Sequence, residues 1–173
     1  MKKNFILLAT LICCLLTFSA CGSDDEPKTQ VTATAEYTIK FSPDFFKMVK
    51  HVNIYYKGTN GENKNDVMTS GTEWKKTITT TKFPAELAYK IVAEPKDDED
   101  IAKLAEANYE ITVDGYMSMS LDKESFKYNN QQTMMSKTGD KATVVQWLKS
   151  NKEKSYGYRL TKDGTPSPYT PVF

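Results

Sequence analysis

Between Val31 and Phe41 the chain alternates without a break: Val31, Ala33, Ala35, Tyr37, Ile39 and Phe41 are separated by Thr32, Thr34, Glu36, Thr38 and Lys40. Successive side chains of a strand point to opposite faces, so this rhythm predicts a strand with one buried and one wet face. A helix would scatter the same apolar positions around its circumference. Ser42-Pro43-Asp44 interrupts the pattern, which resumes with Met48, Val52, Ile54 and Tyr56 facing one way and His51, Asn53, Tyr55 and Lys57 the other. Gly58 and Asn60-Gly61 then supply residues that tolerate positive φ, the chemistry of a tight turn.

The rhythm recurs down the chain. A weaker strand is read from Asp66 to Thr69, with Ser70-Gly71 as the next turn. Trp74, Lys76, Ile78 and Thr80 share one parity up to Phe83-Pro84, and Leu87, Tyr89, Ile91 and Ala93 share one up to Pro95. Tyr109, Ile111, Val113, Met117, Met119 and Leu121 keep odd parity across Asp114-Gly115, as one long strand or a hairpin about that dipeptide. Phe126, Tyr128 and the pair Met134-Met135 suggest a further strand, and Tyr156, Tyr158 and Leu160 a terminal one.

Two tracts depart from period two. In "DDEDIAKLAEA" acids open a first turn and Ile101, Leu104 and Ala105 recur at helical spacing, which predicts a short crossover helix. Residues 140–150 admit two readings: a helix capped by Asp140, with Val144, Val145, Trp147 and Leu148 on one side, or a strand with Val145 and Trp147 inward. The cap favours the helix. The tail "TPSPYTPVF" is expected to lie extended along the surface. Together these elements predict a mainly β fold, an antiparallel β-sandwich of about seven strands with one or two short helices, over residues 31–173.

The beginning of the chain has a different logic. Lys2 and Lys3, an apolar run from Phe5 to Phe18 and the small residues Ser19 and Ala20 form a signal-peptide layout over residues 1–20. The run is about fourteen residues, short of the roughly twenty that span a bilayer as a helix. Removing those first 20 of 173 residues takes away Lys2 and Lys3, leaving 21 basic against 22 acidic residues. No net field then draws the chain to nucleic acid or anionic lipid. Arg159 is the only arginine, which argues further against phosphate recognition and nucleic acid as a partner. Cys13, Cys14 and Cys21 are the only cysteines, so residues 31–173 carry no disulfide and must be stabilised by burial alone.

Phe18-Ser19-Ala20-Cys21 resembles the lipobox of bacterial lipoproteins, although Phe18 stands where Leu is usual. The resemblance implies that Cys21 becomes the lipidated first residue, carrying three acyl chains, enough to hold a protein on a membrane. Ser23, Asp24, Asp25 and Glu26 resemble the acidic export signal of surface lipoproteins in the Bacteroidetes, which implies display at the cell surface; the alternatives are a plain acidic spacer and a periplasm-facing outer-membrane protein. Residues 21–30 read as the lipidated cysteine and a flexible tether. Leader and strand layout together are similar to the immunoglobulin-like or transthyretin-like lipoproteins of that phylum.

No catalytic pattern emerges. His51 is the only histidine, no Gly-x-Ser-x-Gly elbow is present, and a histidine zinc site lacks its further ligands. Asp97 to Asp100 could offer oxygens to calcium, but consecutive carboxylates do not converge on one ion and suit a helix N-terminus better. No spacing among the 22 acids selects a facing pair for glycoside hydrolysis. No cofactor or metal is called for. The aromatic residues are the better candidates: Trp74, Tyr55, Trp147, Tyr156 and Tyr158 could stack on sugars or anchor a protein interface, or simply fill the core. The expectation is a lipid-anchored, non-enzymatic outer-membrane protein that binds a glycan or an envelope protein. The alternatives are a structural accessory subunit of an envelope assembly and a hydrolase with an unmarked carboxylate pair.

Overall fold

The computed structural model describes residues 30–122 and 126–173, and every element below lies within Val31–Phe173. The expected signal peptide over residues 1–20, Cys21 and the expected export signal Ser23, Asp24, Asp25 and Glu26 lie outside the described residues. In chain order the elements are β1 (Ala33–Phe41), α1 (Phe45–Met48), β2 (Val49–Lys57), β3 (Asn63–Met68), β4 (Glu73–Thr80), β5 (Ala85–Pro95), α2 (Asp98–Ala102), β6 (Tyr109–Leu121), β7 (Lys127–Gly139), α3 (Lys141–Ser150), β8 (Glu153–Leu160) and β9 (Pro166–Pro168). They build two antiparallel sheets, a four-stranded one in the order β4-β1-β6-β7 and a five-stranded one in the order β3-β2-β5-β8-β9. The fold is the expected antiparallel β-sandwich.

The core is the sum of the inward parities. Ala33, Ala35, Tyr37 and Ile39 of β1 face Val52, Ile54, Leu87, Tyr89 and Ile91 of the other sheet, all buried within one apolar cluster. Asp114-Gly115 is no turn: β6 runs straight through it, with Gly115 opposite Ile39 on β1 and Gln132 on β7. On β7 the register shifts after Val113–Met135, because Asp114 pairs with Thr133 and Met134 is left over. Such a bulge resets side-chain parity, which is why both Met134 and Met135 are buried.

Nine described strands replace the expected seven or so. The stretch read from Asp66 to Thr69 starts earlier, at Asn63, and ends at Met68; it is an exposed edge strand, so its charged residues never needed an apolar alternation. The tail contributes the short edge strand β9, whose Pro166 and Pro168 suit a position without a further neighbour. Ser42-Pro43-Asp44 leads into one helical turn, which inserts Phe45 and Met48 in the core, so β2 begins at Val49 and not at Met48. The acidic tract makes only the five-residue α2, with Ile101 alone buried. Residues 141–150 are helical: the Thr143 amide donates to Asp140 at 2.8 Å, and Val144, Val145 and Leu148 are buried.

Candidate binding face

The two outer faces of the sandwich are finished differently. On the five-stranded sheet, β9 hydrogen-bonds to β8 and the chain then crosses the outer surface, beginning with the Tyr169 amide donating to the Gly157 carbonyl at 3.1 Å. Gly157 makes this possible, because a Cβ there would lie 2.9 Å from the Tyr169 ring and 3.0 Å from the Ala88 methyl. Arg159 caps the ring at 4.7 Å and forks onto Glu86 through two hydrogen bonds of 2.8 and 3.1 Å. The Tyr169 hydroxyl is buried without a hydrogen-bond partner, and burial pushes its phenol up to about 12, with Glu86 adding to the rise and Arg159 opposing it. Phe173 then rests beside Tyr55, its ring 5.6 Å from the Lys57 ammonium and 5.8 Å from that of Lys90. This face is occupied by the chain itself.

The four-stranded sheet carries no such strap among the described residues. Its outward side chains form three rows across β1, β6 and β7: Lys40–Asp114–Thr133, Thr38–Tyr116–Gln131 and Glu36–Ser118–Asn129. Tyr116 is the single aromatic ring in these rows. Gln131 donates to its hydroxyl at 3.2 Å, the Lys40 ammonium sits 5.2 Å from its ring centre, and Thr133 donates to Asp114 at 2.7 Å. The small Ser118 beside Tyr116 leaves a depression of about 330 Å³, lined by Glu36, Thr38, Tyr116, Ser118, Asn129 and Gln131. Most of these side chains are exposed or half-exposed, and together they offer amide, hydroxyl and carboxylate groups around one ring.

The aromatic residues singled out in the sequence lie elsewhere. Trp74 is only 7% exposed; it stacks on Tyr37 at 6.5 Å and donates its indole N–H to Asp66 at 3.0 Å, so it is a core residue and no surface platform. Tyr55 does lie on the outer side of β2, but beside Phe173. Trp147 is half-buried on α3 against the core. Tyr156 and Tyr158 point inward from β8, their hydroxyls 2.9 Å apart, and the Tyr128 hydroxyl of β7 donates to Tyr158 at 2.8 Å. These three tyrosines close the sandwich between β7 and β8. The residue that was missed, Tyr116, had a legible signal: it has even parity in a strand whose buried residues are odd.

His51 is half-exposed on β2. Within α2, Asp98 is paired with Lys149 and Asp100 with Lys103, each at 3.1 Å. Among the described residues no three His, Cys, Asp or Glu side chains converge as a metal site would require, and no helix is long and apolar enough to cross a membrane. The chain matches no known family, no curated protein and no solved structure.

Proposed function

We propose that this chain is a lipid-anchored envelope protein whose open four-stranded face binds a glycan without catalysis. The observation that carries the reading is the Tyr116 depression, in which one ring is surrounded by short polar side chains on adjacent strands. Strand-borne groups hold fixed spacings, so little ordering entropy is lost when a ligand arrives. A tyrosine ring packs against the C–H face of a sugar, while amides and hydroxyls both donate and accept toward its hydroxyl groups. Lys40 does not prevent this. It is exposed, and a cation over an exposed ring contributes only about 0.5–1 kcal/mol, a small cost to exchange for a ligand hydroxyl. With Glu36 as the one carboxylate lining the depression and Lys40 over the Tyr116 ring to balance it, the site suits a neutral saccharide.

The test is affinity electrophoresis of the mature chain through gels containing soluble neutral polysaccharides. Retardation by at least one of them is expected, with Tyr116→Ala weakening binding roughly tenfold or more and leaving the unfolding midpoint almost unchanged. Retardation that survives Tyr116→Ala and Asn129→Ala undiminished places the glycan site elsewhere; mobility untouched by every polysaccharide removes the glycan reading.

Anchoring is tested separately in cells. Cys21→Ala is expected to release the protein from the membrane fraction, and replacement of Asp24, Asp25 and Glu26 by alanine to leave it anchored but inaccessible to surface label. A triple variant that labels like the original reduces those acids to a spacer. A Cys21→Ala protein still in the membrane fraction rules out the lipid anchor.

A further inference from the structure

The sandwich has four strand edges, and three are guarded. Edge strands expose unpaired backbone N–H and C=O groups and invite another strand, so charge, proline or shortness usually blunts them. β3 and β4 carry Lys64, Asp66, Glu73, Lys75 and Lys76, and are also tied to each other across the sandwich, since Asp66 accepts from both Trp74 and Lys76. β9 is three residues long and contains two prolines. β7 differs. It is thirteen residues long, pairs only with β6 among the described residues, and has neither charge nor proline from Tyr128 to Ser136. The bulge at Met134 ends its regular part, leaving Lys127 to Thr133 as a regular stretch of about 24 Å whose one charge is Lys127 at its end.

We infer that this edge pairs with the β7 of a second copy, antiparallel about a two-fold axis at Asn130. The register follows from three constraints. Residues that share a face must meet residues of the same parity, or the joined sheet would mix its wet and buried sides. An axis at Gln132 would carry the pairing through the Met134 bulge, beyond which the side-chain parity of β7 is reversed, so the two faces would mix. An axis at Asn130 uses the whole regular stretch: Lys127 meets Thr133, Tyr128 meets Gln132, and Asn129 meets Gln131. No like charges face one another, and the central pairs are amides that both donate and accept.

Asn130 supplies independent support. Its amide oxygen is buried without a hydrogen-bond partner, and its nitrogen reaches the Tyr128 hydroxyl only at 3.4 Å. A poorly satisfied amide within a protein is destabilising, because its lost hydration is not replaced. At the two-fold axis the Asn130 amides of the two copies turn toward each other and each receives a donor. The result is a continuous eight-stranded sheet with both Tyr116 faces on one side. The inference stands whether or not those faces bind glycan.

The experiment uses the full chain in the envelope of intact cells. Two Cα atoms opposed in an antiparallel pair lie about 4.5–5.5 Å apart, within the range a disulfide bridges. Asn130→Cys is therefore expected to give an oxidised homodimer on a non-reducing gel, with Lys75→Cys on the β4 edge and the unaltered chain giving none. Asn129→Lys with Gln131→Lys, added to Asn130→Cys, places lysine against lysine twice and is expected to abolish the dimer; Asn129→Lys with Gln131→Glu places lysine against glutamate and is expected to retain it. Absence of the Asn130→Cys dimer, an equal band from Lys75→Cys, or identical behaviour of the two charge variants overturns the inference.

Discussion

Gly115→Ala is expected to destabilise the domain by about 2–3 kcal/mol, and Tyr89→Phe to return most of that loss. Gly115 sits in the middle of β6, and its missing side chain is the space that the Tyr89 hydroxyl of the opposite sheet occupies. A Cβ there would overlap that hydroxyl outright and lie 2.8 Å from Met134 Sδ. The methionine can bend away, but Tyr89 cannot: it is fully buried, edge-on to Tyr37 at 5.7 Å and tilted on Tyr156 at 6.3 Å. The Tyr89 hydroxyl also lacks a hydrogen-bond partner, so Tyr89→Phe alone is expected to be neutral or slightly stabilising. The four proteins of this cycle, compared by urea unfolding, should depart from additivity by more than about 1 kcal/mol. An additive cycle would show that the glycine is not there for the hydroxyl.

The same cycle has a signature in pH. Burial holds the phenols of Tyr89 and Tyr37 well above the ordinary tyrosine value. An unfolded chain ionises them first, near pH 10, so stability is full below that value and falls as pH rises beyond it. Tyr89→Phe removes one of these raised phenols, which include Tyr169, and should make the alkaline fall shallower.

Trp74→Ala is expected to cost about 3–5 kcal/mol, the range for deleting a buried aromatic side chain. Trp74 is the closure of the sandwich on the β3–β4 side. Its ring lies 7° from parallel with Tyr37 and 5.5 Å from Tyr56, while its indole reaches over to Asp66 on β3. Lys76 reinforces the join, 3.1 Å from the same Asp66 oxygen and 5.0 Å above the Tyr56 ring. Trp74→Phe keeps most of the ring contact and loses the indole hydrogen bond, so its cost should be nearer about 1 kcal/mol. Chemical denaturation of both variants separates packing from hydrogen bonding. Equal losses would mean that the bond to Asp66, and not the stacked rings, holds this edge.

Much of the sandwich could be read from the chain because alternation reports which face a residue takes. It reports that for β1, β4, β5 and β6 with few errors. It does not report neighbours: β1 lies between β4 and β6, an arrangement set by which apolar faces complete one core and invisible in any local window. β3 was harder to see for a physical reason, since an exposed edge strand gains nothing from an apolar side. The Met134 bulge was equally hidden, because two adjacent buried methionines fit a helix, a buried strand or a parity reset. The aromatic candidates misled for a related reason: Trp74 and Tyr158 are residue types that serve a core and a surface alike, and composition does not choose between them. Tyr116 was legible by parity alone, but its partners Gln131 and Asn129 come from a different strand and required the register.

The central place of β1 has a kinetic consequence. Ala33 meets Thr80 on one side and Leu121 on the other, so neither flank of this strand is a sequence neighbour. Loop closure over such separations must be completed before those contacts stabilise anything, which slows folding. The β6–β7 and β2–β3 pairs, joined by short connections, can form early; the slot between β4 and β6 waits. Without β1 the four-stranded sheet is two separate parts, β4 on one side and the β6–β7 pair on the other, so this one strand joins the two halves of the sheet.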